Sequence, residues 1–188
     1  MSKAIFRGNK AASGGAVANY GGVTFGEVSF ASNAAEDNNS GKGGAVFSDQ
    51  AATAAFSGPA SFTENRAVSD GGALYIMQPS DVNFAKSASF TANKAESGSG
   101  GAVYSAFGGQ KYIFDDSADF AGNTAAQDGG ALYFANGAGA EFKGASVFDG
   151  NKAANKGGAL YADGGAFVFS GDSDRKSTRL NSSHTNLS

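Results

Sequence analysis

Apolar positions recur along this chain at fixed intervals, tied to Asn and Gly in one repeated order. The recurring phrase is F-x-x-N-x-A, then a variable gap, then G-G-A followed by Val or Leu. Its Phe residues are Phe6, Phe30, Phe62, Phe90, Phe120 and Phe148, and its Asn residues are Asn9, Asn33, Asn65, Asn93, Asn123 and Asn151. Successive Gly-Gly pairs stand 28 or 29 residues apart. A period of this size indicates a repeat architecture in which each unit is one coil that cannot bury its apolar face alone.

The apolar positions within one period predict three short β-strands. After Gly71 and Gly72 the chain alternates over 73–76, a second short strand covers 82–84, and a third closes at Phe90. Three strands and three turns in one period are typical of a coil of a parallel β-helix, whose coils stack at ~4.8 Å. The sequence therefore predicts an all-β fold, a right-handed parallel β-helix of about six coils. The handedness follows from the right-handed rule for parallel crossovers.

The repeated positions also predict the core. The Phe of each phrase is expected to stack between coils, together with a second column of Phe later in each coil. This second column is Phe25, Phe56, Phe84, Phe114, Phe142 and Phe169. Each Asn is expected to turn the chain and to bond to its own turn and to the Asn amides of neighbouring coils. The Gly pairs are expected to supply a positive φ or a close backbone approach at a corner.

Composition narrows the class of protein. The chain has 29 Gly, 16 Phe and no Cys, which excludes disulfides, thiolate zinc sites and thiol catalysis. No apolar run approaches the ~18 residues needed to span a bilayer, so we expect no membrane insertion by this segment. The mildly acidic balance gives no reason to expect nucleic acid as a partner. No cofactor or metal is expected.

The C-terminal segment breaks the pattern. Residues 174–184 read DRKSTRLNSSH, which resembles the in-frame translation of a sequencing-library adapter. We therefore expect one repeat array over 1–173, a fragment uncapped at both ends, and a non-native, disordered tail over 174–188. Setting the tail aside removes His184, the only histidine, and leaves 11 basic and 16 acidic residues.

The pairing of F-x-x-N with G-G-A-[I/L/V] resembles the repeat of the chlamydial polymorphic membrane proteins, and related repeats occur in pectin-lyase-like β-helix proteins. The resemblance covers 6–170, and both motifs recur six times in the same order. It implies a surface-exposed autotransporter passenger used in adhesion, with a signal peptide and an outer-membrane β-barrel elsewhere in the protein. The chain shows only passenger-like repeats and none of the cysteines common in that family.

An enzyme is the alternative, because parallel β-helices also carry polysaccharide lyases and hydrolases. Such sites gather carboxylates on neighbouring coils. The best cluster is Asp115, Asp116 and Asp119, which no second carboxylate row accompanies. Asp70 and Asp128 share a position but lie two coils apart. The basic residues after the repeated Asn are interpreted as a solvated face: Lys10, Arg66, Lys94 and Lys152.

The candidate binding face is an aromatic column directly after G-G-A-[V/L]. Its members are Phe47, Tyr75, Tyr104, Tyr133 and Tyr161. Strand alternation places it on the outer face, so we expect it to be partly exposed, with structural packing as the competing interpretation. Aromatic columns can stack on sugar rings or anchor a protein partner.

The sequence favours a structural and adhesive β-helix segment of a secreted or cell-surface protein without catalysis. Expected partners are a host or cell-surface protein or a glycan, with edge-to-edge self-association at the ends of the rod. The expected location is extracellular or the cell surface, and the outer membrane if the whole protein is an autotransporter. The alternative function is the scaffold of a carbohydrate-active β-helix enzyme.

Overall fold

The computed structural model describes residues 3–49, 53–77 and 81–171, and these form a parallel β-helix. The expectation for 174–188 lies outside the described residues. Each strand pairs in parallel with the equivalent strand of the next coil, so six coils build four six-stranded sheets. At ~4.8 Å per coil the stack is roughly 29 Å long.

The four sheets follow one another along each coil. The first contains β1 Ala4–Arg7, β5 Val28–Ala31, β9 Ala60–Thr63, β13 Ala88–Thr91, β17 Ala118–Ala121 and β21 Ser146–Asp149. The second contains β2 Lys10–Ala11, β6 Ala34–Ala35, β10 Arg66–Ala67, β14 Lys94–Ala95, β18 Thr124–Ala125 and β22 Lys152–Ala153. The third contains β3 Val17–Asn19, β7 Val46–Ser48, β11 Leu74–Ile76, β15 Val103–Ser105, β19 Leu132–Phe134 and β23 Leu160–Ala162. The fourth contains β4 Gly22–Phe25, β8 Thr53–Phe56, β12 Val82–Phe84, β16 Lys111–Phe114, β20 Gly139–Phe142 and β24 Phe167–Phe169.

The second sheet is the one element that the sequence did not predict, since three strands per coil were expected and the structure has four. Its strands are two residues long, too short to show period-2 alternation. Backbone hydrogen bonds between coils nevertheless define it, as where Lys94 N donates to Asn65 O and Glu96 N donates to Ala67 O, both at 2.9 Å.

Two Phe columns fill the core. Within a column the rings stack from coil to coil, as in Phe62 and Phe90 with centroids 4.6 Å apart. Within a coil the two columns meet edge to face, as in Phe84 and Phe90 at 5.7 Å and 79°. Both arrangements suit the ring quadrupole, and they join the first sheet to the fourth.

The Asn column lies at the corner between the first and second sheets, and Asn33, Asn65, Asn93 and Asn123 are fully buried. Asn93 shows the pattern. Its Nδ2 donates to Phe62 O at 3.0 Å and to Asn123 Oδ1 at 2.9 Å. Its Oδ1 accepts from the backbone N and the Nδ2 of Asn65, both at 3.0 Å. Each of these four buried amides therefore joins its own coil to both neighbours.

The left-handed residue at this corner is not Asn, as the sequence suggested, but the residue before it. These preceding residues have φ of 53° to 66°: Gly8, Ser32, Glu64, Ala92, Gly122 and Gly150. The Asn side chain must point into the core to reach its partners. The chain therefore reverses one residue earlier.

The two glycines of each pair have different tasks. Gly71 has φ +67°, a left-handed conformation that side chains rarely adopt. Gly72 has no such φ, but a Cβ there would overlap the carbonyl oxygen of Gly101 and the backbone of Lys94 in the next coil. The first glycine makes the turn and the second lets the coils approach.

Candidate binding face

The tyrosine column, defined as Phe47, Tyr75, Tyr104, Tyr133 and Tyr161, occupies the central position of the third-sheet strands. Strand pairing places each member directly beside the next. In the first coil the equivalent position is Ala18. Residues on either side, such as Val103 and Ser105, point into the core. The column therefore lies on the outer face of the rod.

Exposure differs along the column. Tyr104, Tyr133 and Tyr161 are half-buried, but Phe47 and Tyr75 are buried at 8% and 3% exposure. The expectation of partial exposure was therefore wrong for these two residues. The Phe47 ring contacts Tyr20, with centroids 6.0 Å apart. Lys42 covers Tyr75, with Nζ 4.8 Å from the ring centroid and 3.3 Å from the hydroxyl oxygen.

The rings of the column stack on one another. Tyr75 and Tyr104 lie 5.1 Å apart, Tyr104 and Tyr133 4.7 Å, and Tyr133 and Tyr161 5.2 Å, between centroids. Because each ring covers the face of its neighbour, solvent meets ring edges and hydroxyl groups. A sugar ring stacks on an aromatic face. The geometry therefore favours a partner that bonds to the phenol oxygens.

Electrostatics keep the central phenols protonated. Burial raises the pKa of Tyr104, and the charge of Asp70 raises it further. Burial also raises the pKa of Tyr133, with smaller effects from Tyr161 and Asp128. Asp70 and Asp128 are half-buried. The phenols of Tyr104 and Tyr133 thus present neutral hydroxyl groups beside two carboxylates.

The three carboxylates of the enzyme alternative lie in different surroundings. Asp115 forms an ion pair with Lys143, Oδ1 to Nζ at 2.9 Å, and the hydrogen bond from Lys143 lowers its pKa. Asp116 Oδ1 accepts from the backbone N of Ser117 at 2.7 Å. Asp119 lies on the outer face of the first sheet, between Ser89 and Val147. A general acid of a glycosidase needs a raised pKa, the opposite of the direction at Asp115.

The basic residues after the repeated Asn lie on the second sheet and take part in surface ion pairs. Arg66 pairs with Glu36 and with Glu96, the latter at 2.9 Å. Lys10 also pairs with Glu36, at 3.3 Å, and Lys94 with Glu96, at 3.7 Å. Exposed pairs of this kind contribute little to stability.

Sequence reasoning noted that Asp70 and Asp128 share a position, but it missed the full row of residues that precede the Gly-Gly pairs: Lys42, Asp70, Ser99, Asp128 and Lys156. Backbone hydrogen bonds stack them, as where Gly43 N donates to Asp70 O at 3.1 Å and Gly100 N donates to Asp128 O at 3.0 Å. Lys156 Nζ lies 5.4 Å from the ring centroid of Tyr161. Their fixed position directly before a Gly-Gly pair is the sequence signal that could have identified this row.

Comparison with known proteins supports the class that the fold defines, a β-solenoid built from repeated coils. Segments 59–77, 117–135 and 145–163 match the model of the Chlamydia polymorphic membrane protein (Chlamydia_PMP) repeat. These three segments are therefore similar to polymorphic membrane protein repeats, and each holds one F-x-x-N and one G-G-A-L. No curated protein and no solved structure gives a significant match. None of the described residues forms a helix long and apolar enough to cross a membrane.

Proposed function

We propose that this chain is an adhesive, non-catalytic segment of a surface protein, a passenger rod that presents one binding face to a partner. The observation that carries the proposal is the tyrosine column on the outer face of a chain with segments similar to polymorphic membrane protein repeats. Tyr is enriched in the few residues that dominate protein interfaces. The stacked rings are held rigidly, so little conformational entropy is lost when a partner binds.

Adhesion of coated beads to cultured animal cells tests this proposal. The full chain is compared with the double variant Tyr104→Ser and Tyr133→Ser. The matched control is Ile113→Ser with Val168→Ser, which removes two apolar side chains from the outer face of the fourth sheet. We expect the tyrosine variant to reduce bound beads about tenfold, as for a loss of ~1.4 kcal/mol in binding free energy. Adhesion no greater than that of albumin-coated beads would overturn the proposal, as would equal losses in both variants.

The enzyme alternative has its own test. The chain is incubated with acidic and neutral polysaccharides, and released products are measured. Product release that is abolished by Asp115→Asn together with Asp116→Asn would replace the adhesive function with a catalytic one. The ion pair of Asp115 with Lys143 argues against that outcome.

A further inference from the structure

The row before the Gly-Gly pairs, next to the tyrosine column, carries charges of both signs. Its order from coil two to coil six is Lys42, Asp70, Ser99, Asp128 and Lys156. The two lysines stand at the ends of the row, and each lies over a tyrosine of the column, Tyr75 or Tyr161. The two carboxylates stand between them, beside the central tyrosines.

The lysine contacts show how this face holds a cation. Lys42 Nζ donates to the hydroxyl oxygen of Tyr75 at 3.3 Å and lies 4.8 Å from its ring centroid. A neutral phenol thus offers a cation an acceptor oxygen, and the ring lies within cation–π distance of the same ammonium group. Within the described residues, no lysine or arginine lies over Tyr104 or Tyr133 in the same way.

The central part of the face has the complementary charge. Asp70 Oδ1 accepts from Ser99 N at 2.9 Å, and Asp128 Oδ1 accepts from Lys156 N at 2.9 Å. These bonds attach each carboxylate to the backbone of the next coil, and the charges of Asp70 and Asp128 act on the phenols of Tyr104 and Tyr133. In the loop that follows Tyr104, Phe107 is 45% exposed and adds apolar surface next to the same coil.

We propose that Asp70, Tyr104, Asp128 and Tyr133 form a site for a basic segment of a partner protein, with one arginine or lysine side chain at each carboxylate. The carboxylates supply the charge, and the phenol oxygens accept hydrogen bonds from the guanidinium or ammonium group. This inference rests on the proposed adhesive function, because it names the chemistry of the partner at the same face. A basic protein segment fits the site better than a neutral glycan, since the ring faces are covered by one another.

Binding of a labelled oligo-arginine peptide to the full chain tests the proposal, by fluorescence anisotropy at low and high salt. The test variant is Asp70→Asn with Asp128→Asn, in which the retained Oδ1 keeps both backbone hydrogen bonds. The matched control is Asp119→Asn with Asp149→Asn, two exposed acids on the first sheet with the same change in net charge. A third variant, Tyr104→Phe with Tyr133→Phe, removes only the phenol oxygens.

We expect about a tenfold weaker Kd for the Asp70 and Asp128 variant and a several-fold weaker Kd for the phenylalanine variant, with the control near wild type. Equal weakening by both aspartate pairs would mean general attraction to an acidic surface and would overturn the proposal. Absence of saturable binding by the wild type would do the same. Bead adhesion that survives Asp70→Asn with Asp128→Asn would overturn this inference while leaving the adhesive function in place. Peptide binding that depends on the site, in a chain that does not adhere to cells, would support the site and reject the adhesive function.

Discussion

At the scale of single residues, each position of the repeated phrase meets a separate physical demand. Phe fills the core, Asn joins three coils through one amide, and the residue before Asn takes a left-handed conformation. A left-handed conformation costs a residue with a side chain about 1–2 kcal/mol. Three coils place Ser, Glu or Ala there, so the array carries local strain that glycine would relieve.

Replacement of Ala92 by Gly should therefore stabilise the protein. Ala92 has φ +54° and is exposed, so no packing is lost. The relief of backbone strain exceeds the entropy cost of a glycine, and we expect roughly 0.5–1 kcal/mol more unfolding free energy in urea. The control is Ala121→Gly in the extended strand β17, which should destabilise the protein. A loss of stability in Ala92→Gly would show that this corner is not strained.

Replacement of Asn93 by Ala should destabilise the protein strongly. The change leaves Asn65 N and Phe62 O without their side-chain partners inside the core. Each unpaired buried group costs about 1–3 kcal/mol. Asn9→Ala is the matched control, because Asn9 is exposed and its side chain donates only to Asn33 among the described residues. The Tm of both variants is measured by thermal unfolding. Equal Tm values would contradict the role of the Asn column.

At the scale of elements, the coils are held together where their corners and strands meet. In the first five coils the second glycine of the pair lies against the backbone of the next coil, which leaves no room for a side chain. In coils four to six, a large core residue on one of the third and fourth sheets is matched by a small one on the other. The pairs are Ser105 and Tyr112 in coil four, Phe134 and Ala140 in coil five, and Ala162 and Phe167 in coil six.

Replacement of Gly72 by Ala tests the close approach of the coils. Its φ is suited to alanine, so the expected loss of about 1–3 kcal/mol in unfolding free energy comes from overlap with Gly101 and Lys94 alone. Gly26→Ala is the control, because a Cβ there has no atom within 4 Å. Urea unfolding should separate the two variants. Similar stabilities would mean that the coils can move apart without cost.

The tyrosines with raised pKa values should make the protein less stable at alkaline pH. Burial raises the pKa of Tyr75, Tyr104, Tyr112 and Tyr133 above the ordinary value of ~10. The folded state then keeps protons that the unfolded state loses. Their stabilising contribution is complete below pH ~10 and is lost as the pH rises toward the folded pKa values.

Urea unfolding at several pH values above ~10 should show this decline, and Tyr112→Phe should make it shallower. The same change should raise stability at neutral pH by up to about 1–3 kcal/mol, because the buried Tyr112 hydroxyl makes no hydrogen bond of ordinary geometry among the described residues, although Ser105 lies close enough to lower its pKa. Phenolate absorbance can be followed against pH in the native protein and in the urea-unfolded chain. If it rose at the same pH in both, the prediction would be contradicted.

The sequence predicted the features that recur in every coil, but it could not predict the contacts that occur in a single coil. Phe62, Asn65 and Gly71 recur in every coil, so their period predicted the parallel β-helix and its core. Tyr75 is covered by Lys42, which reaches it from the previous coil, whereas Lys156 at the equivalent position lies over the tyrosine of its own coil. The match of Ser105 with Tyr112 is likewise particular to one coil. A contact that occurs in one coil only is not part of the repeated pattern, so the repeat could not predict it.

At the scale of the whole molecule, every strand pairs only with its equivalents in the adjacent coils. Stability in such an array is close to a sum of coil terms and of interfaces between neighbours. One coil can therefore be removed if the ends that meet occupy equivalent positions. Asp70 and Ser99 both precede a Gly-Gly pair, so deletion of 71–99 joins Asp70 to Gly100 in an equivalent way.

We expect the chain without 71–99 to fold cooperatively, with a lower Tm and a rod shorter by ~4.8 Å. In the shortened chain Phe62 would stack on Phe120 and Asn65 would bond to Asn123, as equivalent residues do now. Deletion of 71–84 is the control. It removes β11 and β12 but keeps β9 and β10, so the remaining half-coil ends away from the position where the next coil begins. Circular dichroism and small-angle scattering distinguish the outcomes. If both deletions unfold the chain, the coils do not act as interchangeable units, and the binding face would depend on the whole array rather than on its own coils.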